Sequence, residues 1–177
     1  MNQSREFDII IWGASGFTGR LVALYLFEKY GTTGDLKWAM GGRNLTKLKK
    51  VRNEVADKNV PLIIADSNDK VSLLNMVNRT KVICTTVGPY AKYGSNLIEA
   101  CIKSHIHYCD LAGEVQWMYK MINLHHEEAK INRSKIVHAC GFDSIPSDMG
   151  VYFIQREAKD KTGNTAQKIK MRVAAIS

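Results

Sequence analysis

A glycine-rich segment near the N-terminus has the residue types of a phosphate-binding turn. Residues 13–19, G-A-S-G-F-T-G, follow an apolar run and precede a segment of helical pattern, Arg20–Tyr30. The spacing is G-x-x-G-x-x-G, in which the first glycine permits a tight bend, the second lets a pyrophosphate approach, and the third lets the helix pack closely. Free N–H groups of residues 15–18 and the helix dipole would form an anion site. We therefore predict a dinucleotide site, against the alternative of an ordinary glycine-rich turn, with contacts from Gly13, Ser15, Gly16, Phe17, Thr18 and Gly19.

The end of the second predicted strand indicates which dinucleotide binds. NAD-specific domains place Asp or Glu there, whereas this chain has M-G-G-R-N at residues 40–44. Arg43 is a permanently charged fork suited to phosphate, and Lys47 is one helical turn further on. A cation at a helix start opposes the helix dipole, so a bound anion accounts for Arg43 better than a solvent-facing role does. We predict NADP(H) in preference to NAD(H), with contacts from Arg43 and Asn44.

Two further strand ends offer contacts on the same side of the sheet. Asp66 and Ser67 follow the third strand, where they would contact adenine or, equally, cap a helix. T-V-G-P-Y, residues 86–90, closes the fourth strand at the topological switch point, where ligands of open α/β sheets bind. Gly88 would let the backbone approach the nicotinamide ribose, and Tyr90 would stack on a ring, donate a proton or pack in the core. The predicted contacts here are Val87, Gly88, Pro89 and Tyr90.

The catalytic residues are not identified by any motif. Tyr90 and Asp143 are the candidates, although a carboxylate that orders the turn is the favoured interpretation of Asp143. Histidines and cysteines near the ends of two strands raise the alternative of a metal site, because residues two apart on a strand share a face. No fourth ligand has a recognisable spacing. We therefore predict no metal at His105, His107, Cys109, His138 and Cys140.

Short apolar runs alternate with segments in which apolar residues recur every three or four positions. We predict strands at Phe7–Trp12, Leu36–Met40, Pro61–Ala65, Lys81–Thr86, His107–Asp110 and Lys135–Ala139. Helical stripes are predicted at Leu45, Leu48, Val51 and Val55, at Leu97, Ile98, Cys101 and Ile102, and at Val115, Met118, Ile122 and Ala129. Asn44 and Asn68-Asp69 are expected to begin helices. Strands that are apolar on both faces and alternate with helices predict an α/β fold, a doubly wound parallel sheet of the Rossmann NAD(P)-binding type.

The C-terminal part of the sequence suggests a domain boundary. A helix is predicted over Ile145–Lys159, a turn at Gly163–Thr165, and one more strand over Lys168–Ile176. Six strands already complete a Rossmann sheet. We expect residues 1–160 to form the dinucleotide-binding domain and residues 161–177 to begin a second domain that is cut short.

Composition and charge narrow the function classes. The formal net charge is +8 at pH 7, but the basic residues are scattered and no long run of like charges occurs. Solvated helix faces account for this pattern, so we expect no nucleic-acid binding. No signal-peptide pattern and no membrane-spanning apolar stretch are present, and the four cysteines lack CxxC spacing. We expect a cytoplasmic protein with reduced, buried thiols and no stable membrane insertion.

Taken together, six motifs resemble those of the saccharopine dehydrogenase-like oxidoreductases, and more specifically the trans-acting enoyl reductases. They are GASGFTGR (13–20), GGRN (41–44), ADS (65–67), TTVGPYAKYG (85–94), YCDLAGE (108–114) and HACGFDSIPSD (138–148). The resemblance implies a nicotinamide-dependent reductase that transfers a hydride to or from a C=C or C=N bond of a small-molecule substrate. It also implies a larger substrate and dimerisation domain after the Rossmann domain, and hence a homodimer formed through that domain.

Members of this family are longer than the present chain. We therefore expect the 177 residues to bind the cofactor without turning over a substrate. The alternative is a binding module that senses NADP(H) without catalysis, since Rossmann folds carry both functions.

Overall fold

The structure is a computed structural model that describes residues 4–173. Its strands are β1 Phe7–Trp12, β2 Trp38–Gly42, β3 Leu62–Ile64, β4 Thr80–Thr85, β5 His107–Asp110 and β6 Ile136–Val137. All pairs are parallel and the order across the sheet is β3-β2-β1-β4-β5-β6. The chain order reverses between the adjacent strands β1 and β4. This arrangement confirms the predicted doubly wound sheet of the Rossmann type.

Helices cover both faces of the sheet. They are α1 Phe17–Tyr30, α2 Leu45–Val55, α3 Lys70–Val77, α4 Tyr90–Tyr93, α5 Ser95–Lys103, α6 Val115–Ile131 and α7 Ile145–Thr162. The apolar layer under α1 and α2 contains Ile11, and the layer under α3, α5 and α6 contains Ile10. Successive side chains of β1 thus enter opposite layers, which is why the strand is apolar throughout. No helix in residues 4–173 is long and apolar enough to cross a membrane.

The predicted helix starts are confirmed. Asn44 is the N-cap of α2, where its side chain accepts a hydrogen bond from Lys47 N at 2.9 Å. Asp69 is the N-cap of α3 and accepts a hydrogen bond from Val71 N at 2.9 Å. The predicted stripe of α5 is buried throughout, and that of α2 is buried apart from Leu45.

The predicted apolar stripe of α6 is wrong in part, since Ala129 is buried as predicted but two other members are not. Val115 and Ile122 are exposed, whereas the buried residues are Trp117, Met121 and Ala129. These three share one side of the helix because they are spaced by multiples of four. Burying an indole removes more apolar area from water than burying a valine, and Trp117 therefore determines which side of α6 faces the sheet.

The C-terminal part also differs from the prediction. α7 begins at Ile145 as predicted and ends at Thr162, three residues after the predicted end at Lys159, and none of its residues is buried. Gly163 ends the helix in the left-handed conformation, as its turn signal predicts. Residues 168–173 form no helix or strand, so the strand predicted over Lys168–Ile176 is wrong there, and residues 174–176 lie outside the described part. Apolar alternation does not by itself supply the neighbouring strand that backbone N–H and C=O groups need.

Asp110, the last residue of β5, connects the ends of β5 and β6. Its buried carboxylate accepts four hydrogen bonds, from Tyr108 Oη, Ala112 N, Ala139 N and His138 Nδ1, at 2.7–3.1 Å. Burial raises the pKa of this carboxyl group, but the hydrogen bonds from His138, the backbone and Tyr108 outweigh burial and hold the pKa below its usual value. The fold therefore favours the ionised form of Asp110.

We expect Asp110→Asn to lower the free energy of unfolding by about 2–4 kcal/mol at neutral pH, because an amide cannot replace a carboxylate as acceptor of all four bonds. The pKa of Asp110 is lowered in the folded state. Its contribution is therefore complete above the unfolded-state pKa and is lost as the pH falls through the folded-state pKa. Urea unfolding at neutral and acidic pH measures both effects.

Asp160→Asn is the matched control, since it removes a carboxylate from an exposed position of α7. It should change the free energy of unfolding by no more than about 0.5 kcal/mol. Equal effects of the two substitutions would contradict the structural role of Asp110.

Candidate functional site

The turn between β1 and α1 is packed between the ends of two neighbouring strands. Gly13 has a φ of +91°, and a Cβ there would lie 2.7 Å from Val87 Cγ2 and 2.9 Å from Thr86 Oγ1. The N–H groups of Gly13 and Ala14 donate to Gly41 O at 3.0 and 3.1 Å. Only glycine satisfies both the backbone conformation and the lack of space at this position.

Gly19 brings the first turn of α1 against the same backbone. A Cβ on Gly19 would overlap Gly13 O and lie 2.8 Å from Ala14 Cα. Because these atoms belong to the backbone, a side chain at residue 19 would displace the helix from the strand. Gly16 differs, since its φ of −82° is open to any residue and a Cβ would lie 3.3 Å from Gly13 O. The third glycine thus has the close-packing role that the motif predicts.

The N-terminus of α1 has no side-chain cap among the described residues. Its first backbone hydrogen bond runs from Arg20 N to Gly16 O at 2.9 Å. The N–H groups of residues 17–19 precede that bond and point out of the helix end, where they are available to an anion. The prediction that every N–H from residue 15 to residue 18 is free is wrong for Gly16. Its N–H donates to Gly13 O at 2.9 Å, because the turn closes on itself.

The turn lines a cleft of about 320 Å³ at the carboxyl ends of the central strands. The cleft brings together eight predicted contact residues, namely Gly13, Ser15, Gly16, Arg43, Asp66, Ser67, Val87 and Gly88. Its remaining lining residues, which we did not predict, are Trp12, Gly42, Thr86 and Tyr93. Trp12, Gly42 and Thr86 are each next in the sequence to a predicted contact residue, and this adjacency could have identified them.

Six predicted contacts do not line this cleft: Phe17, Thr18, Gly19, Asn44, Pro89 and Tyr90. Phe17, the first residue of α1, is 84% exposed and is not among the lining residues. Thr18 lines a second cleft on the other side of β4. The side-chain oxygen of Asn44 caps α2, as described above.

Arg43 lines the cleft directly after β2. Its side chain is exposed and has no hydrogen-bond or ion-pair partner in the part of the chain that the structure describes. Lys47 is also exposed but is not among the lining residues. The cleft therefore presents one unpaired guanidinium group, whose fork of donors matches the geometry of a phosphate.

Asp66 and Ser67 line the cleft after β3. The alternative that they cap α3 is wrong, because Asp69 occupies the N-cap position. Asp66 instead orders the turn: its Oδ1 accepts a hydrogen bond from Asn68 N at 2.9 Å. Ser67 is buried, and its carbonyl oxygen accepts a hydrogen bond from Asn96 Nδ2 at 3.2 Å.

Tyr90 lies in the core and not in the cleft. Its side chain is 5% exposed, its hydroxyl donates to Thr85 O at 3.2 Å, and its ring stacks on Trp117 with 5.5 Å between centroids. Burial raises the pKa of Tyr90 to about 12. Among the three alternatives of stacking on a cofactor, donating a proton and packing, this geometry is that of packing.

Glu114 fixes the start of α4 from 24 residues away. Its Oε1 accepts a hydrogen bond from Tyr90 N at 2.6 Å, and its Oε2 accepts one from Ala91 N at 2.8 Å. Pro89 occupies the N-cap position and has no side-chain acceptor, so a distant carboxylate performs the capping. Glu114 thereby positions the loop that carries Val87. Sequence reasoning did not assign this role, since no local spacing connects the two segments.

Asp143 lines the second cleft, which also has a volume of about 320 Å³. Its carboxylate is exposed and makes no hydrogen bond within residues 4–173. The turn is closed by the backbone instead, where Ser144 N and Ile145 N donate to Gly141 O at 3.2 and 2.9 Å. The interpretation that the Asp143 carboxylate orders this turn is therefore wrong.

Three of the four cysteines line that second cleft: Cys84, Cys109 and Cys140. Cys84 and Cys109 are paired in register on β4 and β5, and the neighbouring thiol of Cys109 lowers the pKa of Cys84. Cys101 is fully buried, and burial raises the pKa of its thiol. All four are free thiols, but only Cys101 is buried as expected, since Cys84 and Cys109 are half-buried and Cys140 is exposed.

The residues considered as metal ligands do not converge. His138 donates to Asp110, and His107 Nδ1 accepts a hydrogen bond from Lys135 N at 3.1 Å. His105 lies past the end of α5 in the left-handed conformation, with a φ of +56°. Across residues 4–173 no three His, Cys, Asp or Glu side chains are grouped so that they could hold a metal ion.

Comparison with known proteins places the chain in a family. The family model for the saccharopine dehydrogenase NADP-binding domain matches residues 9–137. A trans-acting enoyl reductase of Mycobacterium leprae is 41% identical over 162 residues, which are 90% of this chain and 38% of that protein. The chain thus spans 38% of the length of this curated relative.

Solved structures share the fold. Apo histidine-tagged saccharopine dehydrogenase (L-Glu forming) from Saccharomyces cerevisiae has a TM-score of 0.67 at 14% identity, over 85% of this chain and 31% of that one. The triphenylmethane reductase of Citrobacter sp., complexed with NADP(H), has a TM-score of 0.58 at 15% identity, over 88% and 55%. These likenesses concern the fold, whereas the family follows from the match over residues 9–137. The chain belongs to the saccharopine dehydrogenase NADP-binding domain family.

Proposed function

We propose that this chain is the NADP(H)-binding part of an oxidoreductase that transfers a hydride to or from a C=C or C=N bond of a small-molecule substrate. The observation that carries the proposal is one cleft that contains the turn of Gly13 and Gly16 beside an uncapped helix end, together with the unpaired guanidinium of Arg43. Both features suit phosphate groups, and a dinucleotide supplies phosphates at both places.

A preference for NADP(H) over NAD(H) is supported by the residues after β2. Gly42 and Arg43 line the cleft where NAD-specific domains carry a carboxylate for the ribose hydroxyls. The carboxylate of Asp66 follows the next strand, β3, and one of its oxygens already accepts a hydrogen bond from Asn68 N. The neighbouring triphenylmethane reductase fold holds NADP(H), and the name of the family model specifies NADP.

In the proposed complex the cofactor supplies the hydride chemistry, and the residues of this chain bind and orient it. The N-terminus of α1 holds the pyrophosphate, Arg43 the 2′-phosphate, and Asp66 with Ser67 the adenosine. Val87 and Gly88 lie beside the nicotinamide ribose. Tyr90 does not donate a proton in this scheme, because its hydroxyl is bonded to a backbone oxygen inside the core.

The reaction partner and the assembly concern the whole protein. The relative named above is a trans-acting enoyl reductase, and this name supports an unsaturated substrate. Asp143, exposed in the second cleft, is the remaining candidate for an acid or base. We further propose that residues 161–177 begin a second domain that binds the substrate and mediates homodimerisation, and that the protein is cytoplasmic.

The cofactor preference is tested at Arg43. We expect Arg43→Ala to weaken NADPH binding about ten- to a hundredfold and to leave NADH binding nearly unchanged, because a charge-assisted hydrogen bond to phosphate contributes about 1.5–3 kcal/mol. Isothermal titration calorimetry measures both affinities. Lys49→Ala is the matched control, because it also removes one positive charge but from an exposed position of α2 outside the cleft. Equal affinities of the unmutated chain for NADPH and NADH would overturn the preference.

The phosphate turn is tested at Gly16. We expect Gly16→Val to abolish NADPH binding, because its side chain would occupy the place of the pyrophosphate. The fold should persist, since the backbone conformation is allowed and Gly13 O, 3.3 Å from the added Cβ, has to give by only a few tenths of an ångström. Circular dichroism checks folding, and Gly150→Val, in open space on α7, is the control. Normal NADPH binding by Gly16→Val would mean that the turn is only structural.

Catalysis is tested with the 177-residue chain itself. Phe142 and Asp143 are exposed beside the second cleft, so this side of the site is open to water. An open site neither excludes water nor orients a substrate. We therefore expect the chain to bind NADPH without steady turnover. Absorbance of NADPH in the presence of α,β-unsaturated and imine compounds measures turnover. Sustained, substrate-dependent oxidation would contradict this expectation. If the full-length relatives also bound NADPH without oxidising it, the NADP(H)-sensing alternative would replace the enzyme.

A further inference from the structure

Trp12, the last residue of β1, has a buried indole N–H group without a partner. The residue is 2% exposed, and its Nε1 has no hydrogen-bond acceptor within residues 4–173. Buried polar groups are nearly always hydrogen bonded, because an unpaired one has lost its bonds to water without replacement. The free donor of Trp12 therefore requires an explanation.

The other two tryptophans show what is usual in this fold. Trp38 is 4% exposed and its Nε1 donates to Gly31 O at 2.9 Å. Trp117 is 6% exposed and its Nε1 donates to Ser95 Oγ at 3.1 Å. Both buried indoles thus have an internal acceptor, and only Trp12, among the three, does not.

The position of Trp12 explains the difference. It lines the same cleft as Gly13, Arg43 and Asp66. Its ring rests against the bare backbone of Gly41, where a Cβ would lie 3.1 Å from Trp12 Cε3. Packing therefore fixes the ring of a residue that lines the candidate cofactor site, and the one donor of that ring is unused.

We propose that the indole N–H of Trp12 donates a hydrogen bond to an acceptor atom of the dinucleotide bound in this cleft. This inference rests on the proposed function. A dinucleotide is rich in acceptors, with phosphate oxygens, ribose oxygens and adenine ring nitrogens, whereas an indole nitrogen is only a donor. The donor is already shielded from water in the unliganded chain. An acceptor atom reaches the N–H group only if the wall of the cleft shifts slightly, and the bond then formed replaces no hydrogen bond to water.

The test compares Trp12→Phe with Trp38→Phe. Both remove a buried indole of similar exposure, but Trp38 gives up an internal bond and lies outside the cleft. We expect Trp12→Phe to weaken NADPH binding about three- to tenfold by calorimetry and Trp38→Phe to leave it unchanged. Titration of Trp12→Phe with 2′,5′-ADP locates the acceptor. If the affinity for 2′,5′-ADP falls as much as the affinity for NADPH, the acceptor is in the adenosine half of the cofactor. If only the affinity for NADPH falls, the acceptor is in the remainder of the cofactor.

A second measurement does not depend on the variant folding. In the unmutated chain labelled with ¹⁵N at the indole nitrogens, NADPH should shift the Trp12 N–H resonance downfield and slow its exchange with water. The indole signals of Trp38 and Trp117 should change less. The three signals are assigned by elimination, because the spectra of Trp38→Phe and Trp117→Phe each lack one of them. A Trp12 resonance that does not move, or an unchanged affinity of a folded Trp12→Phe variant for NADPH, would overturn this inference but not the proposed function. Failure of the unmutated chain to bind NADPH would overturn the proposed function, and this inference with it.

Discussion

The fold and the candidate site both depend on the close backbone contact between Gly13 and Gly19. Because neither residue has a side chain, the first turn of α1 lies directly against the end of β1. The same Gly13 leaves room for Val87 and Thr86, so the loop after β4 reaches the turn as well. Two missing side chains thus determine the distance between the helix end and the β4 loop. The cleft is the space that remains between them.

Two carboxylates in one short segment hold the surrounding loops without lining the cleft. Asp110 is buried and is stabilised by four donors, whereas Glu114 bridges to the first N–H groups of α4. A buried carboxylate is favourable only when its lone pairs are satisfied, and Asp110 meets this condition within its own neighbourhood. The motif YCDLAGE therefore supports the surrounding loops, while the residues that line the cleft come from the turn and from the ends of β2, β3 and β4. A recurrent motif need not be a set of ligand contacts.

Part of the positive charge of the chain is paired with carboxylates on the surface. Arg79 pairs with Glu6, Lys81 with Asp8, and both Lys70 and Lys103 with Glu99. Exposed pairs of this kind contribute about 0–1 kcal/mol each, so they matter less for stability than for neutralising the surface. Arg43 is different because it lines the cleft and its side chain forms no ion pair or hydrogen bond within residues 4–173. The placement of one arginine, and not the net charge of +8, is what supports a phosphate-bearing ligand.

The sequence by itself determined the class of the fold, the six strands of its sheet and the glycine-rich turn, because apolar period and glycine spacing are local properties of the chain. β1 and β5 have the predicted bounds, and Asn44 begins α2 as expected. The tertiary structure alone decided which side of α6 is buried and where Tyr90 lies. Gly88 and Tyr90 are two residues apart, yet one lines the cleft and the other stacks on Trp117 in the core. Such differences depend on which side chains pack against each other between the sheet and its helices, and no local pattern in the sequence specifies these contacts.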